Sequence, residues 1–143
     1  MRKRTLRKRL DPMACITRRM PLVEDQIRDL GIAYRISLQA MLQGQGTEQA
    51  WSTLCCSLNI ALLLCECGIE SAALPTIKLA QEALLRVRDR AKQHDKWAFD
   101  GEGIRIILAA VNIHDEQISR ATRGQIIAAI AEVNRRVTIG EAA

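Results

Sequence analysis

The sequence predicts an all-α protein, a bundle of about five mostly antiparallel helices preceded by a basic N-terminal arm. Of its 143 residues, 48% are hydrophobic but only 3% are aromatic, and three are proline. This composition suits Leu, Ile and Ala packing between helices better than the β-branched and aromatic content of sheets. We expect a disordered arm over residues 1–20, one helical domain over 21–139 and a frayed tail over 140–143.

The N-terminal arm carries the excess positive charge. Residues 1–20 hold eight of the 21 Lys and Arg and one acid, a net charge of +7 against +5 for the whole chain, which leaves −2 for residues 21–143. The basicity of the chain is therefore a property of the arm. Its cations are Arg2, Lys3, Arg4, Arg7, Lys8, Arg9, Arg18 and Arg19.

Apolar periodicity predicts the first two helices. Apolar residues recur at three- and four-residue steps over about residues 21–43, where we place helix one. Thr47 is a suitable N-cap for helix two, and Gly68 is a natural left-handed terminator for it. Helix two is apolar almost all round, so we expect it at the centre of the bundle, with Asn59 as a buried amide that needs partners.

Helix three and the loop after it are predicted from capping and turn residues. Ser71 is expected to cap helix three, with Pro75 in its first turn and its end near His94. The segment from there to Gly103 is expected to be the longest loop. We expect its aromatic residues, Trp97 and Phe99, to fold back over the core as a plug.

The last two helices complete the bundle. Helix four is expected over about 101–118, and Thr122 with Gln125 has the spacing of a capping box at the start of helix five. The connections are mostly under ten residues, which favours antiparallel neighbours.

Targeting and membrane signals are weak in this sequence. Glu66 interrupts the most apolar run, and no continuous apolar region follows the basic start as a signal peptide requires. We therefore expect a cytoplasmic protein with no membrane partner.

The five cysteines do not suggest a disulfide framework or a zinc site. Cys55, Cys56, Cys65 and Cys67 fall within one predicted helix, and Cys15 makes the number odd. Adjacent positions on a helix splay apart rather than converge on a metal. We expect buried thiols that act as small hydrophobic residues, and no metal or other cofactor.

His114 and Asp115 are the only adjacent pair that resembles a catalytic or metal-binding dyad. On a helix the two side chains point about 100° apart, and no second histidine lies four residues away. We favour a hydrogen-bonded, partly buried imidazole over a reactive group. Gly101 and Gly103 lack the Lys-Ser/Thr end of a phosphate loop, so we expect a non-catalytic protein.

The stretch from Leu63 to Ile77 has turn and capping residues at the positions typical of a helix-turn-helix, with Gly68 in the turn and Ser71 as a cap. Against that interpretation, the first helix is long and buried, Glu70 would face phosphates and a proline would fall in the recognition helix. We favour a plain antiparallel helical hairpin.

The basic arm has two interpretations. It is either a functionless solvated tail or a segment that neutralises phosphates with strongly salt-dependent, sequence-blind affinity. No aromatic residue interleaves the cations, and little apolar surface is available for membrane insertion. We favour nucleic acid, or an acidic protein surface, as the partner. Further cations near the last helix are expected to contribute, namely Arg120, Arg123, Arg135 and Arg136.

Short motifs over nearly the whole chain carry a family resemblance. They are Met1-Arg2-Lys3-Arg4-Thr5, Trp51, Leu58-Asn59, Gly68-Ile69, Glu82-Ala83-Leu84, Gly101 with Gly103, His114-Asp115 and Asn134-Arg135-Arg136. With these motifs the chain resembles small, uncharacterised proteins of proteobacterial phages, prophages and plasmids, some of them labelled Fis-family transcriptional regulators. Thr122-Arg123-Gly124 is similar to the C-terminal segment of Fis-type proteins, but Ile126 to Val137 continues as one helix, so no base-reading residue is transferred.

The resemblance implies an origin in a mobile element and a regulatory role. Our first hypothesis is a non-catalytic, nucleic-acid-associated regulator. The alternative is an inhibitor, of the anti-CRISPR kind, that occludes a host protein such as a defence complex or the transcription machinery. A homodimer is also plausible, because helices two and four carry more apolar surface than a thin bundle covers.

Overall fold

The computed structural model describes residues 24–142 and contains five α-helices. They are α1 (Glu24–Leu42), α2 (Glu48–Glu66), α3 (Leu74–His94), α4 (Gly101–Arg120) and α5 (Arg123–Ala142), with a short 3-10 helix (Ser71–Ala73) before α3. The described residues form no strand. The all-α bundle predicted from the sequence is thus confirmed, while the arm over residues 1–20 lies outside the described residues.

Helix α2 is the centre of the bundle, and it packs against each of the other four helices. Its side chains Leu54, Leu58, Ala61 and Leu64 are all 0% exposed. Helix α2 lies at the centre because it has almost no polar face, and only surrounding helices can cover such a helix on every side. Asn59 on this helix accepts a hydrogen bond from Gln81 of α3, at 2.9 Å, which supplies the expected partner.

The core has two parts on opposite sides of α2. The larger part joins α1, α2, α3 and α4, and contains Tyr34, Leu84 and Ile107 among its buried residues. The smaller part joins α2 to α5, where Ile126 and Ile130 lie among the buried residues. The apolar face of α5 therefore packs on α2.

The predicted aromatic plug is confirmed in the loop that follows α3. Phe99 is buried in the larger core, and the rings of Trp97 and Trp51 lie 5.4 Å apart. The Trp51 indole nitrogen donates to the Leu84 carbonyl at 2.8 Å, which fixes the ring pair against α3. The loop ends at Asp100, whose carboxylate caps α4 by accepting from the Gly103 amide at 2.6 Å. This confirms the start predicted for helix four and places Gly103 in the helix rather than in the loop.

The turn between α2 and α3 differs from the prediction for Ser71. This residue lies inside the 3-10 helix, and α3 begins at Leu74, with Ala73 as its N-cap. Two left-handed residues, Gly68 and Glu70, turn the chain within three positions, so the 3-10 helix is needed before α3 starts. Pro75 does lie in the first turn of α3, where a missing amide hydrogen is tolerated.

The predicted capping box at the start of α5 is confirmed. The Thr122 amide donates to Gln125 Oε1 at 2.8 Å, and the Gln125 amide donates to Thr122 Oγ1 at 3.1 Å. Helix α5 then continues to Ala142, past the boundary expected at residue 139, and fraying over 140–143 stays a prediction. Within residues 24–142, no helix has the length and apolar character needed to cross a membrane.

Candidate functional site

The charge of the described body is nearly balanced, since residues 24–142 hold thirteen Lys and Arg and fifteen Asp and Glu, a net charge of −2. Residues 29–136 contain twelve Lys and Arg and twelve Asp and Glu. The arm cations Arg2, Lys3, Arg4, Arg7, Lys8, Arg9, Arg18 and Arg19 lie outside the described residues, so the structure gives them no position. A polyanion approaching the folded body alone therefore meets no net attraction.

Three of the four body arginines expected to bind an acidic partner are already in ion pairs. Arg120 lies 2.9 Å from a Glu70 carboxylate oxygen, at the turn before α3. Arg135 and Arg136 both bind Glu132, at 2.6 and 2.8 Å, and these hydrogen bonds lower the pKa of Glu132 to about 2. These arginines are less available to a partner than the sequence suggested.

The four body arginines also do not form one patch. Arg123, at the start of α5, is exposed and makes no ion pair with a described residue. Arg135 and Arg136 lie about three turns further along the same helix, and Arg136 also contacts Glu66 at the end of α2, at 3.4 Å. Arg123 is therefore the member of this set that has no carboxylate partner among the described residues.

Other cations of the body lack ion pairs with described residues, and the sequence analysis did not single them out. Five of them lie on α3, α4 or the loop between them. Whether a cation is paired depends on carboxylates elsewhere in the fold, such as that of Asp100, which lies 3.0 Å from Arg86. Such ion pairs could be identified only from the structure. The five are Lys78, Arg90, Lys92, Lys96 and Arg105.

His114 and Asp115 face different surroundings, as the helical geometry predicted. The His114 ring is 2% exposed, and its Nδ1 lies 3.0 Å from Gln117 Oε1. Burial lowers the pKa of His114 to about 4, while the Gln117 hydrogen bond opposes that shift. The hydrogen-bonded imidazole is confirmed, and it is fully rather than partly buried.

Asp115 belongs to a cluster on the surface side of α4. Its carboxylate accepts from the Tyr34 hydroxyl and forms an ion pair with Arg35, so two residues of α1 hold it. Burial raises the pKa of Tyr34, and the nearby Arg35 opposes that effect. Asp115 thus ties α4 to α1 and is not oriented towards His114 as a dyad partner.

Gln117 is a structural residue that the sequence analysis missed. Its side chain is 0% exposed, and its amide nitrogen donates to the carbonyls of Ala61 at 3.0 Å and Ile69 at 3.1 Å. The same nitrogen lies 3.2 Å from the Cys65 sulfur. Its position three residues after His114, on the same face of α4, was the signal available in the sequence.

These contacts also bear on the proposed helix-turn-helix. The buried side chain of Gln117 donates a hydrogen bond to the turn after α2. Ile77 and Leu84 of α3 are buried in the core. The pairs Trp51 with Leu84 and Asn59 with Gln81 show that α2 and α3 run in opposite directions. The segment is the antiparallel hairpin that the sequence analysis favoured.

The described cysteines form no disulfide. Cys65 is buried, and burial raises the pKa of its thiol; burial also raises that of Cys55 to about 12. Cys67 is exposed, contrary to the expectation of buried thiols, because it is the C-cap where α2 leaves the core. Cys15 lies outside the described range, and within residues 24–142 no three His, Cys, Asp or Glu converge as a metal site.

A groove of about 920 Å³ lies between α1 and the junction of α4 with α5. Two exposed isoleucines of α1, Ile32 and Ile36, line it. They are four residues apart and lie on a different face of α1 from its buried residues. This spacing could have been recognised in the sequence. The other lining residues are Gly31, Tyr34, Arg35, Asp115, Ile118, Ser119, Ala121, Thr122 and Arg123.

Comparison of the chain with protein-family models, with curated proteins and with solved structures gives no match. The functional interpretation therefore depends on the charges and surfaces described above.

Proposed function

We propose that the protein is a non-catalytic, nucleic-acid-associated regulator of a mobile element, with its affinity concentrated in the basic arm. The observation that carries this proposal is the charge balance of residues 29–136, which places the positive excess of the chain outside the described body. A cationic segment on a neutral scaffold binds phosphates through counterion release, without reading sequence. The mobile-element origin follows the family resemblance alone.

The ion pairs of the body support an arm-centred affinity. For Arg120, Arg135 or Arg136 to bind a phosphate, each has to leave a carboxylate that it already contacts. That exchange reduces the net gain, since one charged partner replaces another. Arg123 is free of this cost and is the body residue most suited to a supporting phosphate contact.

The salt dependence of binding to a duplex of about 30 base pairs tests the proposal. With six phosphates neutralised by the cations of residues 2–9, affinity should fall about a thousandfold between 50 and 200 mM salt. Replacing these six cations with Gln should remove most of the affinity and flatten the salt dependence. Fluorescence anisotropy of a labelled duplex measures both quantities.

A matched variant controls for the general loss of positive charge. It replaces five body cations that make no ion pair with a described residue, leaves Arg123 in place, and should retain affinity within about tenfold. The proposal fails if this variant loses binding while the arm variant keeps it, or if the full chain shows no salt dependence. The five positions are Lys78, Arg90, Lys92, Lys96 and Arg105.

An inhibitor of a host protein is the second candidate. The observation that favours it is a set of exposed leucines outside the groove, Leu79 and Leu85 of α3 and Leu108 of α4, which are 50%, 47% and 40% exposed. Exposed apolar side chains contribute to protein interfaces but not to phosphate binding. Weak DNA binding, together with a salt-tolerant complex recovered from nuclease-treated bacterial lysate, would favour the inhibitor over the regulator.

A further inference from the structure

We infer that the groove between α1 and the α4–α5 junction is the docking site for a second copy of this chain, which binds through the same face of its own α1 to form a symmetric dimer. The face consists of Gly31, Ile32, Arg35 and Ile36, all of which line the groove. The inference is independent of nucleic-acid binding.

The first observation is that α1 has a second apolar surface. Ile32 and Ile36 are 48% and 63% exposed, whereas the core residues Tyr34, Leu38 and Met41 of the same helix are at most 4% exposed. At about 100° per residue, the two isoleucines point almost directly away from the core. The described part of the chain therefore leaves this surface to solvent.

The second observation is Gly31, which no contact within the described chain explains. It lies inside a helix, where glycine is destabilising by roughly 0.5–1 kcal/mol relative to alanine. A Cβ atom at this position would have nothing within 4 Å, and the backbone is not left-handed. Close approach of another helix would account for a glycine there.

The spacing of these residues makes the face self-complementary. When two copies of α1 pack antiparallel about a two-fold axis that passes midway between positions 33 and 34, Ile32 of each copy lies beside Ile36 of the other. The aliphatic stem of Arg35 then crosses over Gly31 of the opposite copy, where no Cβ blocks it. Each contact occurs twice, as a two-fold interface requires.

Charge favours a second copy over the basic arm as the occupant. Arg35 at the centre of the face is neutralised by Asp115, so two such faces do not repel each other strongly. The remaining cation of the groove is Arg123, which repels an arm of net charge +7. A neutral, partly apolar helix face fits this groove better than a polycation does.

Sedimentation equilibrium of the full-length chain tests the inference, over about 1–200 µM at physiological salt. The wild-type chain should dimerise, and Ile36→Asp should weaken the dimer by about 100-fold or more. Leu79→Asp places the same charge at another exposed apolar site, outside the groove, and should leave the dimer unchanged. Circular dichroism melts check that both variants fold.

Gly31→Leu tests the steric fit without loss of an apolar group. Because the position has room in the monomer, the variant should fold normally and yet dimerise at least about tenfold less tightly. A wild-type chain that stays monomeric throughout, or equal weakening by Ile36→Asp and Leu79→Asp, overturns the inference. A monomer that dimerises only after removal of residues 2–20 also overturns it, and identifies the arm as the occupant.

Discussion

The buried His114 makes a specific prediction about stability and pH. In the folded protein burial lowers the pKa of this imidazole to about 4, against 6.5 for an exposed histidine. As the pH falls below 6.5, the unfolded chain takes up a proton at this position and the folded protein does not. The stability contributed by the neutral imidazole is therefore present above pH 6.5 and is lost as the pH falls towards 4.

The size of the effect follows from the two pKa values. Each unit of difference corresponds to about 1.4 kcal/mol, so the full loss approaches about 3 kcal/mol at pH 4. At pH 5 the same linkage gives a loss of about 2 kcal/mol relative to pH 7. The range from pH 7 to 5 is the useful one, because carboxylates with lowered pKa values, such as Asp100, add their own losses at lower pH.

Urea unfolding at several pH values measures this loss. His114→Asn keeps a donor near the position of Nδ1 for Gln117 but has no group that titrates in this range. Its free energy of unfolding should change by less than about 0.5 kcal/mol between pH 7 and 5, whatever its absolute value. If the Asn variant loses stability with falling pH as the wild type does, the burial argument is wrong.

Three further predictions concern packing. A Cβ at Gly46 would overlap the Trp97 carbonyl, so Gly46→Ala should destabilise the fold by about 1–3 kcal/mol in urea unfolding, whereas Gly101→Ala, which has open space, should not. Gln117→Leu removes the side-chain donor to the Ala61 and Ile69 carbonyls and the hydrogen-bond partner of the buried His114 ring, and should cost about 1–3 kcal/mol; an unchanged unfolding midpoint would show that this bridge does not stabilise the fold. Gly31→Ala should stabilise the monomer by about 0.5–1 kcal/mol, seen as a higher melting temperature at low protein concentration, and a lower one would contradict the open geometry.

The sequence predicted those features that depend on local chemistry and periodicity. Five helices followed from apolar spacing, and the capping pair Thr122 and Gln125 fixed the start of the last one. The burial of His114 followed from the apolar residues that share its helix face. These arguments succeed because each compares residues no more than four positions apart.

Features that depend on residues far apart in the chain could not be predicted from the sequence. Ser71 looks like a helix cap, but two left-handed residues before it, Gly68 and Glu70, lead into a 3-10 helix, and α3 starts at Leu74. The pairing of Arg120 with Glu70 joins residues 50 positions apart, and nothing local indicates it. The bridge from Gln117 to the Ala61 carbonyl spans a similar separation, so it could be recognised only after the helices were assembled.

The segregation of charge along the chain has a consequence for proteolytic processing. A single cut after residue 20 would turn a molecule of net charge +5 into a fragment of net charge −2. The isoelectric point would move from about 9.2 to below neutrality, and the electrophoretic mobility at pH 7 would reverse its direction. Cleavage would thus not only remove the arm but also give the remaining fragment the same sign of charge as a polyanion.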